Sequence, residues 1–193
     1  RADLNASHMS SRFGFFIIII LGEILAVVVS SVIEASPSLR ELSLAALAVT
    51  MAFSFWWVYF ENENGPQVIK KFFSDTGKLA KKNVVSGYVW TYSHLPLSMG
   101  LIAFALAVER IIAAGPNVTL NPHLLFVLAL GLGVSLLSIA MMQMSSLTHT
   151  WCQKLHHIKM VLPFVSIILL LVVVLGGWFT QPLTVLGVLA AVL

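Results

Sequence analysis

Apolar positions in this chain come in long runs, with polar residues gathered between them. The first run, residues 12–31 (RFGFFIIIILGEILAVVVSS), holds one carboxylate, Glu23, near its middle. A helix needs roughly 20 apolar residues to cross a bilayer, so the pattern predicts a span over residues 13–33. Comparable runs predict spans over 42–60, 84–113, 123–145 and 158–179. A last stretch, 183–193, has only eleven residues and reads as a sixth helix cut short. The predicted fold class is therefore all-α: one polytopic transmembrane bundle over residues 1–193, with five full spans plus a partial sixth.

The polar breaks carry their own signals. Ser36-Pro37-Ser38 makes a turn in which Ser38 can cap the next helix. Glu61 to Pro66 ends the second span. Residues 67–83 then mix five lysines with Phe72, Phe73 and Leu79, which fits either an amphipathic segment on the membrane surface or a solvated loop. Pro96 lies inside the third span and should free a carbonyl about one turn upstream and bend the helix. Two small-residue seams are predicted packing faces: Gly22, Ala26 and Ser30 in the first span, and Gly131, Ser135 and Ser138 in the fourth.

Composition agrees with the spans. Of 193 residues, 59% are hydrophobic and 10% charged, and mean hydropathy is +0.95. Soluble domains carry about 25% charged residues, so lipid is the main surrounding of this chain. With the N-terminus inside, nine of the eleven basic residues fall on the inner side, leaving Arg40 and Arg110 outside. That asymmetry predicts a cytoplasmic N-terminus. It also points to contact with anionic lipid rather than nucleic acid. The lone Cys152 excludes an internal disulfide.

Candidate chemistry starts from Glu23, because a charge at mid-membrane costs on the order of 3 kcal/mol on insertion scales. Counting from the inner ends at Phe13 and Val84 puts Glu23 and His94 each ten residues deep. At about 1.5 Å rise per residue, two ionisable groups on parallel helices then share one depth. The pair is a predicted site for a proton or small cation beside the Pro96 break, or else a polar contact that only fixes packing. Arg12, Glu61, Pro96 and Glu109 are its supporting residues. Glu109 and Arg110 also fit boundary residues that snorkel. His149, Cys152, His156 and His157 match no standard zinc spacing, so no metal site and no cofactor is expected. Nucleophile elbow, phosphate loop and dinucleotide fingerprint are all missing from the sequence, which argues against an enzyme.

Three stretches together resemble a known family. The run from Asn5 through Arg12-Phe13-Gly14 to Leu21-Gly22-Glu23, the segment Trp56 to Glu61, and Tyr92-Ser93-His94-Leu95-Pro96-Leu97 are similar to the bacterial low temperature requirement protein A (LtrA) family. The resemblance makes Ser7-His8-Met9 read as native sequence. Family members usually carry glutamate before the arginine, where Ser11 stands here. They are also about twice this length, so the chain resembles a C-terminal half, missing its N-terminal half, or a short homologue that forms a homodimer. The family name implies growth in the cold, not a reaction. Two functions follow as expectations: movement or sensing of protons or small cations through Glu23 and His94, or a non-transporting membrane scaffold in a cold or stress response.

Overall fold

The computed structural model describes residues 6–34, 38–61, 65–74, 80–114 and 121–146. Among them every element is an α-helix: α1 (Ala6–Glu34), α2 (Leu39–Glu61), α3 (Gly65–Ser74), α4 (Ala80–Tyr92), α5 (His94–Ala113) and α6 (Pro122–Ser146). Four stretches are long and apolar enough to cross a membrane: His8–Glu34, Glu41–Glu61, Val84–Ala113 and Pro122–Ser145. These match the first four predicted spans. The predicted helices over 158–179 and 183–193, and the group His149, Cys152, His156 and His157, lie outside the described residues.

Helix α1 shows how the bundle is set. Its buried positions include Ser10, Gly14, Ile17, Leu21, Ile24, Val28 and Ser31, spaced alternately four and three apart, with Ile20 and Val32 beside them, and together they keep one seam against its neighbours. Because the flanking residues are equally apolar, hydropathy alone does not mark this seam. In lipid, apolar surface gains little by leaving the acyl chains, so close packing must supply the attraction. Helices α5 and α6 approach closely at two glycines. A Cβ on Gly100 would lie 2.7 Å from the Gly131 carbonyl oxygen, and one on Gly131 would lie 2.8 Å from that of Gly100. Ser135, fully buried beside this crossing, donates to the Gly131 carbonyl at 2.8 Å.

The expected Gly131–Ser135–Ser138 face is thus a packing face, and its partner is Gly100. The expected Gly22–Ala26–Ser30 seam is not, among the described residues. All three positions are exposed, and a Cβ on Gly22 would meet nothing within 4 Å. The reason is geometric: these residues lie across the helix from the Ile17–Leu21–Ile24–Val28 seam, which took the contacts.

The helix ends follow their sequence signals. Ser38 precedes α2, its N–H donating to Glu41 Oε2 at 3.2 Å and its hydroxyl bonding the same carboxylate, the N-cap and N3 arrangement of a capping box. Asn121 caps α6 through Oδ1, which accepts the His123 N–H at 3.0 Å, with Pro122 at the first helical position. The basic 67–83 region opens with α3, a helix and not a loop. Its Val68 and Ile69 are buried while Gln67 and Lys70 are exposed, and it docks on α1 and α4. Gly65 is needed there because a Cβ would strike the Ser10 hydroxyl and come within 2.6 Å of the Trp90 ring. The helix break near Pro96 falls at Ser93, between α4 and α5. Proline has no N–H to give the carbonyl four residues earlier, that of Tyr92.

Candidate functional site

His94 opens α5 and is 2% exposed. Its Nδ1 lies 2.8 Å from the Trp90 carbonyl oxygen and its Nε2 lies 2.9 Å from the Tyr59 hydroxyl. A carbonyl can only accept, so Nδ1 carries the proton and donates. In the neutral ring Nε2 is then an acceptor, and the Tyr59 O–H donates to it. Three aromatic rings close around the imidazole: Phe13 at 4.4 Å between centroids, Trp90 at 4.6 Å and Tyr59 at 5.8 Å. Phe13 and Trp90 also meet edge to face at 5.3 Å. Each ring comes from a different helix (α1, α2 and α4), so the imidazole sits where three elements converge.

Beside this cluster is a cavity of about 30 Å³. Its wall includes Ser10 and Gly14 of α1, Tyr59 of α2, Gly65 of α3, Trp90 of α4 and Gln143 of α6. Ser10 and Gln143 are both buried. Two of these residues, Tyr59 and Trp90, are the hydrogen-bond partners of His94, so the cavity and the imidazole share a wall.

The predicted site residues do not gather here as a group. Glu23 is exposed among the described residues, on the outer side of α1. His94 packs against Phe13, ten residues before Glu23 in the same helix. The expected Glu23–His94 pair at one depth is therefore not formed, and its register was off by about 15 Å at ~1.5 Å per residue. The physical reason is that the two counting origins are not level: Phe13 packs on His94, ten residues beyond Val84. Arg12 is exposed. Glu61 is exposed and accepts the Trp57 indole N–H at 3.1 Å. Pro96 is half-buried two residues beyond His94, and Glu109 is half-buried near the far end of α5 beside exposed Arg110.

Tyr59, Trp90, Phe13, Ser10 and Gln143 were not legible as site residues. Tyr59 and Trp90 read as part of an aromatic belt at the inner boundary, a role that the same residue types also fill. One signal was available. Trp90 and His94 are four apart and so share a helix face, which ties the imidazole to the aromatic end of its span.

Comparison with known proteins bears on identity more than on mechanism. A curated relative, uncharacterized protein RA0937 of Rhizobium meliloti (strain 1021), is 28% identical over 110 residues, covering 54% of this chain and 24% of the relative. The chain thus spans about a quarter of that relative's length. No solved structure matches it. The family model for bacterial low temperature requirement A protein (LtrA) matches residues 1–193. With apolar helices fit to cross a membrane and a family match over its whole length, this chain is a membrane protein that belongs to the LtrA family.

Proposed function

We propose that the protein takes up and releases a proton at His94 through Tyr59, acting as a proton-responsive or proton-moving component of the bacterial plasma membrane. One observation carries the reading: an imidazole enclosed within a span, bonded through Nε2 to a tyrosine hydroxyl that itself borders a cavity. Intramembrane ionisable groups that are kept at a cost are commonly parts of proton paths. The step balances simply. A proton arrives at Tyr59 Oη while the phenol passes its own proton to Nε2, leaving tyrosine neutral and His94 a cation with both N–H groups donating. Release is the reverse. In this reading the N-terminus is cytoplasmic, from the placement of the basic residues. The protein is not an enzyme, and its partners are the bilayer and further family-type helices, in a second copy or a longer chain.

A second reading, a scaffold without transport, draws on the same site. Both imidazole nitrogens are already bonded, as in a histidine that only joins helices. Nitrogen-15 spectra of labelled His94 in bilayers, recorded across a pH series, separate the two. The proton reading expects a reversible change from the Nδ1–H tautomer to the doubly protonated ring, with proton uptake into proteoliposomes lost in His94→Gln. A ring that keeps one tautomer throughout, in a protein without flux, leaves the scaffold.

A further inference from the structure

The cavity beside Tyr59 bears on which species reaches His94, and from which side. Its volume of about 30 Å³ compares with the roughly 10–15 Å³ a buried water requires, which leaves room for about two waters. A buried water needs two to four polar partners. Among the lining residues Ser10 and Tyr59 carry hydroxyls and Gln143 an amide, contributed by α1, α2 and α6. Water in the cavity would bond to all three groups.

We propose that this cavity is a water site that delivers protons to Tyr59 and excludes metal cations. The inference rests on the proposed function for the destination of the proton, and on the cavity alone for its occupant. The described residues lining it contribute no carboxylate, whereas hard cations call for several oxygen ligands, typically with carboxylates among them. A water chain needs no such cage, because each molecule passes on a proton and keeps its oxygen. The proton enters on a cavity water, which protonates Tyr59 Oη as the phenol proton moves to His94 Nε2; the water is left neutral. Around His94 the described elements present one titratable group in contact, Tyr59. Arg12 of α1, Glu61 of α2, Lys70 of α3 and Tyr88 of α4 are exposed, and α6 brings the uncharged Gln143.

The test is water-edited solid-state NMR on the full chain in lipid bilayers. Magnetisation from water should reach the Tyr59 ring and the Gln143 side chain several-fold faster than Leu132, which is fully buried in α6. The double variant Ser10→Ala, Gln143→Leu should lose that transfer and slow proton exchange at His94 Nε2, while the Nδ1–H tautomer signal persists. Equal build-up at Tyr59, Gln143 and Leu132 in the wild type overturns the water site, and this measurement needs no variant to fold. A shift of Gln143 signals on replacing choline by sodium or magnesium overturns the exclusion of cations. Rapid transfer with a His94 ring that never titrates overturns the proposed function and the proton route, and leaves the water site standing.

Discussion

Along α6, Gly131, Ser135 and Ser138 are closed against α5, whereas Gly22, Ala26 and Ser30 repeat nearly the same spacing on the open side of α1. The ionisable groups divide the same way. His94 is enclosed by three rings and bonded at both nitrogens, while Glu23 is exposed next to Gly22. Small residues permit close approach but do not cause it. The α5–α6 contact exists because Gly100 meets Gly131 backbone to backbone, and no described residue answers Gly22. A carboxylate at mid-helix likewise acquires a partner only where another element is in register.

The strongest way to break this contrast is Gly131→Leu, whose side chain has to displace the Gly100 backbone. Overpacking a tight core costs about 1–3 kcal/mol and more against rigid backbone, so melting in detergent should fall sharply and the monodisperse fraction should shrink. His94→Leu comes next. It leaves the Tyr59 hydroxyl and the Trp90 carbonyl without the imidazole, which should cost about 2 kcal/mol in the same melting measurement. Tyr59→Phe removes one hydrogen bond and keeps the ring, for about 1 kcal/mol. In that variant the His94 Nε2 nitrogen resonance should move while Nδ1 stays put. Gly22→Leu and Glu23→Gln should change melting by less than about 0.5 kcal/mol, as surface substitutions do. Loss of assembly in Gly22→Leu would instead show that a further helix or a second copy covers that side.

The bundle itself was readable from the chain. Run length placed the first four spans to within a few residues, and Ser38 marked the start of the second through its capping chemistry. What the sequence did not reveal was rotation and register. Residues 15–29 of α1 are apolar on every side apart from Glu23, so nothing in their periodicity chose Ile17, Leu21, Ile24 and Val28 over Ile19, Gly22 and Ala26. Depth failed for a related reason. Counting needs level origins, and Phe13 and Val84 are not level, because Phe13 packs on His94, ten residues beyond Val84. In the basic 67–83 region, Val68, Ile69, Phe72 and Phe73 fit an amphipathic segment, but the five lysines fit a solvated loop as well. Only docking reveals that Val68 and Ile69 form its inner edge.

Gly65 joins two parts of the protein that the chain keeps far apart. With no side chain of its own, it lets the link between the second and third spans rest directly on the Trp90 indole, and the carbonyl of that same tryptophan anchors the imidazole ring. One tryptophan therefore serves both the lysine-bearing segment, through its indole, and the buried histidine, through its carbonyl.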